Sequence, residues 1–256
     1  MKKKILFEVC CACTEDAVQA ERGGADRIEL NSALFLGGLT PSIGTLEAVK
    51  AQVKLPVMCM VRPREGGFCY TDFDYDAICR DALALIRAGA DGIVFGFLKP
   101  DGTVDEARCA DFLCRIRAEK PEIETVFHRA IDVVPGVFAA LDTLIALNVT
   151  RVLTSGQRAS APAGAETIRQ MRAHAAGRID ILPGGGINAG NVRGFIEETG
   201  VSSVHASARS LRHDTSVRGN PEIFFGGKID GKGVPEDEYK VTDSALVGAV
   251  VRAIEG

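Results

Sequence analysis

Gly24-Ala25-Asp26-Arg27-Ile28-Glu29-Leu30 and Gly89-Ala90-Asp91-Gly92-Ile93-Val94-Phe95 repeat one phrase, and that phrase decides the fold. In each, a helix-like stretch stops at a glycine and a short apolar run follows. Glycine accepts the left-handed conformation that ends a helix. The run after it reads as a buried strand. Asn148-Val149-Thr150-Arg151-Val152-Leu153, Gly177-Arg178-Ile179-Asp180-Ile181-Leu182 and Gly200-Val201-Ser202-Ser203-Val204-His205 repeat the pattern with Asn or Gly as the stop. Runs of this kind predict eight strands, roughly at 5–10, 26–31, 56–61, 91–96, 123–128, 151–154, 178–183 and 203–207. Helical patterns fall between and after them, roughly at 14–22, 42–53, 74–88, 105–118, 135–147, 163–176, 190–199 and 243–254. Thr40-Pro41 and Asp132 through Pro135 read as helix entries.

Eight βα units in strict alternation predict an α/β protein: a TIM (β/α)8 barrel, in one domain over residues 1–256. An open doubly wound sheet is the alternative. It usually has fewer strands and a phosphate loop after the first, whereas here the Gly-rich loop follows the seventh. Residues 210–240, between strand eight and the last helix, break the alternation. Arg218-Gly219-Asn220-Pro221 and Gly226-Gly227 are turn signals there. A segment of this length reads as a lid over the barrel mouth or as an oligomer contact.

Composition narrows the function classes. The hydrophobic fraction of 46% suits a buried parallel sheet wrapped by helices. Net charge is −4, and Lys2–Lys4 is the longest basic run, so nothing predicts nucleic-acid binding. Glu8 interrupts the apolar stretch after that run, which excludes a secretory signal or membrane span there. The expected location is the cytoplasm. In such a chain the eight cysteines read as free thiols, with Cys79, Cys109 and Cys114 packing on helices.

The site of a barrel lies at the C-terminal ends of its strands, and alternation along each strand sorts the side chains. Leu6, Glu8 and Cys10 share a face of strand one, Glu29 and Asn31 of strand two, and Met58, Met60 and Arg62 of strand three. Strand five ends in His128, with Arg129 and Asp132 beyond it, and strand eight carries His205 and Ser207. Buried unpaired, Glu8 and Glu29 would be costly. Arg62, His128 and His205 are their expected partners. Either these groups form a structural polar network, or they converge on a ligand. Their number at the functional face favours the ligand.

Pro183-Gly184-Gly185-Gly186-Ile187-Asn188 after strand seven and Ser207-Ala208-Arg209 after strand eight suggest an anion site. Backbone N–H groups of Gly184, Gly185 and Gly186 would hold the anion, with Ser207 and Arg209 beside them. The alternative is a tight strand-to-helix turn. Thr154-Ser155-Gly156 after strand six is either a further anion-contacting turn or a helix cap. Cys10-Cys11-Ala12-Cys13 is a poor zinc cluster, because Cys10 and Cys11 point to opposite faces of a strand and no second pair stands at finger spacing. Cys10 with Met58 and Met60 would suit Cu(I), a soft ion. On residue types alone, the two methionines also read as core filler.

Phe7-Glu8-Val9-Cys10, Glu21 through Leu30, Gly37-Gly38-Leu39-Thr40-Pro41-Ser42, Arg62-Pro63-Arg64, Asp91 through Gly96, Phe127-His128-Arg129-Ala130, Val152 through Gly156, Pro183 through Ile187, His205 through Arg209 and Tyr239 through Asp243 closely resemble the CutC family. The resemblance runs over nearly the whole chain, in order. It implies a cytosolic TIM-barrel protein that forms homo-oligomers, dimers or tetramers. It also implies a link to copper homeostasis, with Cu(I) bound by lumen cysteines in some members. The family has no firmly established reaction. This chain departs from the pattern at Asn31, where some relatives carry cysteine, so Cys10 lacks a second thiolate across strands one and two.

Two functions are carried forward. One is a copper-handling protein with Cys10, Met58 and Met60 as metal ligands. The other is an enzyme acting on a small anionic or phosphorylated metabolite. In it His128 or His205 is the general acid or base, and Glu8, Glu29 or Asp132 orients it or serves as a second carboxylate.

Overall fold

The computed structural model describes residues 5–220 and 237–256. Lys2–Lys4, Pro221 and the Gly226-Gly227 signal lie outside the described residues.

Eight parallel strands form one sheet: Leu6–Cys11 (β1), Arg27–Leu30 (β2), Val57–Met60 (β3), Gly92–Phe95 (β4), Glu124–Phe127 (β5), Arg151–Thr154 (β6), Asp180–Pro183 (β7) and Ser203–Ala206 (β8). Helices alternate with them: Thr14–Gly23 (α1), Ile43–Gln52 (α2), Asp72–Arg87 (α3), Glu106–Glu119 (α4), Val137–Ala146 (α5), Ala165–Ala175 (α6), Val192–Thr199 (α7) and Ser244–Glu255 (α8). β1 pairs with both β2 and β8, as a barrel requires. β7 and β8 meet through a single parallel bridge, Gly184 to His205, so the barrel is nearly closed. The predicted alternation is the observed one, with ends shifted by a few residues.

Local chemistry sets those ends. The Thr71 hydroxyl accepts the Asp74 N–H while the Asp74 carboxylate accepts the Thr71 N–H, which starts α3 earlier than the apolar pattern does. Gly24 closes α1 at φ +90°, a value an L side chain would resist.

Each strand has two faces, and both are buried. Outward residues such as Phe7, Val9, Ile28, Ile93, Phe95, Phe127, Val152 and Val204 pack under the helices. Inward residues divide the lumen. Met58, Met60, Val94, Val126, Leu153 and Leu182, from β3 to β7, form a separate apolar cluster. Glu8, Cys10, Glu29, Asn31 and His205, from β8, β1 and β2 and the position just after β2, are polar or thiol-bearing and at least nine-tenths buried.

The segment after β8 contributes a hairpin. Arg209–His213 (β9) pairs antiparallel with Glu238–Thr242 (β10). Asp16 of α1 ties the pair down, accepting the Thr242 N–H at 2.7 Å and the Arg209 guanidinium at 2.7 Å. The described part of this segment therefore holds a two-stranded sheet braced against α1 and a 3-10 turn at Thr215–Gly219.

Candidate functional site at the barrel mouth

Register explains which side chains meet. Glu8 of β1 stands beside Arg27 of β2 and His205 of β8, and Cys10 stands beside Glu29. Glu8 accepts hydrogen bonds from the Arg27 guanidinium through Oε2 and shares a 2.8 Å contact with His205 Nδ1 through Oε1. His205 Nε2 then faces Glu29 Oε2 at 4.0 Å. The Cys10 thiol donates to the same Glu29 oxygen at 3.7 Å. Asn31 Nδ2 donates to Glu29 Oε2 at 2.8 Å and to Cys10 Sγ at 3.5 Å. Ligand atoms of Cys10, Glu29 and His205 all lie within 4.8 Å of one another.

Burial and charge set the protonation states. Burial pushes the Glu8 carboxyl up, but the His205 hydrogen bond and the Arg27 and His205 charges outweigh it and hold the group at about 2. Burial opposes charge on His205, yet its hydrogen bonds with Cys10 and Glu8 and the Glu29 carboxylate raise it well above an ordinary histidine. Burial raises Glu29, and it raises the Cys10 thiol to about 11. All three shifts, on His205, Glu29 and Cys10, favour the protonated form of the group.

Polar atoms are left over. Among the described residues, Glu29 Oε1, Asn31 Oδ1 and His128 Nε2 are buried without hydrogen-bond partners. Buried polar atoms are nearly always paired, so such atoms call for an explanation. His128 Nδ1 accepts the Ala130 N–H at 3.1 Å, which leaves the proton on Nε2 when the ring is neutral. It is neutral: burial, then the Arg62 charge, lowers it to about 3.

Several expected site residues do other work. Arg62 does not pair with Glu8 or Glu29. Its guanidinium donates to the carbonyls of Leu36, Gly38 and Gly66 and so staples the loop after β2 to the loop after β3. Gly38, held by that staple, has φ +87° and packs against Asn31, where a Cβ would fall 2.5 Å from Oδ1. Asp132 faces neither histidine. Thr154 Oγ1, the Ser155 and Gln157 N–H groups, the Ser155 hydroxyl and Arg129 fill its oxygens. Thr154 is thereby a structural link as well, and it also receives the Gly156 N–H.

The anion cradle loses its cation, because Arg209 is turned onto Asp16. Each glycine has a local reason. A Cβ on Gly184 would sit 2.8 Å from Leu153 and 3.1 Å from His205, and Gly185 and Gly186 have φ +95° and +81°. Ser207 lies exposed beyond β8. Met58 and Met60 fill the apolar half of the lumen, and the Met58 sulfur lies over Gly92 on β4, on the side away from Cys10. Neither belongs to the Cys10 cluster.

The sequence reading missed Arg27, Arg151 and Asp16. Arg27 had a legible signal, since it stands two residues before Glu29 on the same strand face. Asp16 had none: its partner Arg209 is 193 residues away.

The family model described as CutC family matches residues 5–210. The chain belongs to the CutC family. A CutC family protein of Treponema denticola is 49% identical over 98% of this chain and 100% of its own length. The human copper homeostasis protein cutC homolog is 42% identical over 94% of this chain and 86% of its own length. The crystal structure of CutC from Streptococcus agalactiae superposes with a TM-score of 0.75 at 30% identity, covering 79% of this chain and 98% of that one. The matched span of the CutC model holds all eight barrel strands and every residue of the mouth cluster.

Proposed function

We propose that this chain works in copper homeostasis, as its named relatives do, by holding a metal ion at the barrel mouth between Cys10 Sγ, His205 Nε2 and Glu29 Oε2. The carrying observation is that these buried ligand atoms lie within 4.8 Å of one another. Glu8 supports the reading. It fixes His205 through Nδ1, which leaves Nε2 to take a metal once its proton leaves. Glu29 Oε1, buried without a partner, fits a place where a cation belongs. The cytoplasm is the proposed location, because eight free cysteines suit a reducing compartment. No helix among the described residues is long and apolar enough to cross a membrane. The test is anaerobic titration of the reduced protein with Cu(I) and, separately, with Zn(II), either ion reporting the site. One equivalent should bind, and Cys10→Ser should abolish it. Binding by the wild type no tighter than by Cys10→Ser overturns the assignment.

A second reading, an enzyme acting on a small anionic metabolite, draws on His128, whose Nε2–H is buried and unpartnered at the same end of the barrel. Thermal-shift screening with small carboxylates and phosphate esters tests it. Stabilisation that vanishes in His128→Ala supports the enzyme, and none in the wild type removes it.

A further inference from the structure

We infer that the Cys10–Glu29–His205 site is built for a divalent ion of borderline softness, of which Zn(II) is the redox-inert example, rather than for Cu(I). The inference rests on the reading of the mouth as a metal site and adds which class of ion it takes.

Donor chemistry carries the first part. Cu(I) selects thiolate and thioether sulfur and gains little from a carboxylate, whereas one sulfur, one imidazole nitrogen and one carboxylate oxygen suit Zn(II). The other sulfurs along these strands are committed elsewhere. Met58 and Met60 pack in the apolar half of the lumen. Cys11 and Cys59 lie on the outward faces of β1 and β3, in the core under the helices. The position next to Cys10 on β2's side belongs to Asn31, an amide. Its N–H groups donate to Cys10 Sγ and to Glu29 Oε2. One contact draws density from the sulfur, and the other pins the carboxylate oxygen among the ligand atoms.

Charge carries the second part. With the metal bound, Cys10 is a thiolate, Glu29 a carboxylate and His205 a neutral imidazole. A divalent ion makes that set neutral. Cu(I) leaves one uncompensated negative charge in a place where Cys10, Glu29 and His205 are all buried, and an unpaired buried charge is expensive. Arg27 does not correct this, because its Nε pairs with Glu8. Three protein ligands also leave the fourth tetrahedral position open, as in zinc sites that exchange a water or a substrate.

The experiment uses the full chain, reduced and anaerobic. Wild type, Glu29→Gln and Cys10→Ser are each titrated with Zn(II) and with Cu(I) against chromophoric chelators. Gln keeps the shape of Glu29 and can still accept the Asn31 N–H. Wild type should bind one Zn(II). Glu29→Gln should weaken Zn(II) by at least about 100-fold, beyond what loss of a supporting residue does, and change Cu(I) by less than about threefold. Co(II) in place of Zn(II) gives a second readout that does not depend on affinity. Its sulfur-to-metal charge-transfer band should be present in the wild type and lost in Cys10→Ser. Stoichiometric Cu(I) that Zn(II) cannot compete with, or Zn(II) affinity untouched in Glu29→Gln, overturns the inference and leaves the metal site standing. Binding of neither ion overturns the metal reading itself.

Discussion

At the N-terminal end of the lumen, Arg151 sits between Glu124 at 2.9 Å and Asp180 at 3.3 Å; at the C-terminal end, Glu29 has one oxygen held by Asn31 and the other bare. Arg27, Glu124, Arg151, Asp180 and Ser203 are the first residues of their strands, and they interlock. Arg27 reaches Glu8 and lies 3.8 Å from Glu124, and the Ser203 hydroxyl donates to Asp180. One atom there, Arg27 Nη2, lacks a partner. The mouth, more deeply buried than Glu124 and Asp180, leaves Glu29 Oε1, Asn31 Oδ1 and His128 Nε2 unmet. The contrast separates two uses of buried polarity in one barrel. Charges that answer each other make a plug, and polar atoms that answer nothing mark where something else binds.

The comparison can be broken most directly at the plug. Arg27→Met leaves Glu8 buried with only His205 opposite it. It should lower unfolding free energy by about 3 kcal/mol in urea titration, near the lower end for breaking a buried pair. A negligible loss would mean that the lower end is not held by ion pairing. The next largest effect is expected at the support of the mouth. Gly38→Ala puts a side chain at a left-handed φ and against Asn31 Oδ1. It should destabilise by about 1–2 kcal/mol and weaken metal binding with it, since Asn31 holds both Cys10 and Glu29.

Acid sharpens the contrast by titrating the two ends differently. His128 has its proton affinity lowered from 6.5 to about 3, so the unfolded chain takes up that proton first. Its share of stability is complete above pH 6.5 and is lost as pH falls toward 3, at up to about 1.4 kcal/mol per pH unit. Glu8, lowered from 4.5 to about 2, has its share complete above 4.5 and loses it as pH falls toward 2. Between pH 6.5 and 4.5 the His128 contribution falls while that of Glu8 is still complete. Wild type should therefore lose stability over that window faster than His128→Gln, and parallel curves would refute a buried neutral histidine. The smallest effect is expected from Glu29→Gln. Removing a half-satisfied carboxylate should shift stability by less than about 1 kcal/mol in either direction while the metal affinity collapses.

The fold was legible because it is written locally. A glycine or asparagine stop followed by an apolar run recurs through the chain, and each run became a strand. Strand parity then placed Glu8, Cys10, Glu29 and His205 on one inner face, since alternation is a property of the strand alone. Pairings across the barrel were not legible. Parity says that Arg62 follows an inward series, but not that its guanidinium turns onto the carbonyls of Leu36, Gly38 and Gly66. The Gly184–Gly186 run looked like an anion cradle, and close packing and positive φ account for it. Arg209 looked free because Asp16, the residue that holds it, is remote in sequence. The hairpin of Arg209–His213 with Glu238–Thr242 escaped for the same reason, and because its burial pattern carries no clean alternation.

The single bridge between Gly184 and His205 has a mechanical consequence. Every other neighbouring pair of strands is joined by a ladder, so the joint with the fewest backbone bridges runs past the imidazole at the centre of the mouth. A wall opened there would carry His205 on one lip and Leu182 on the other.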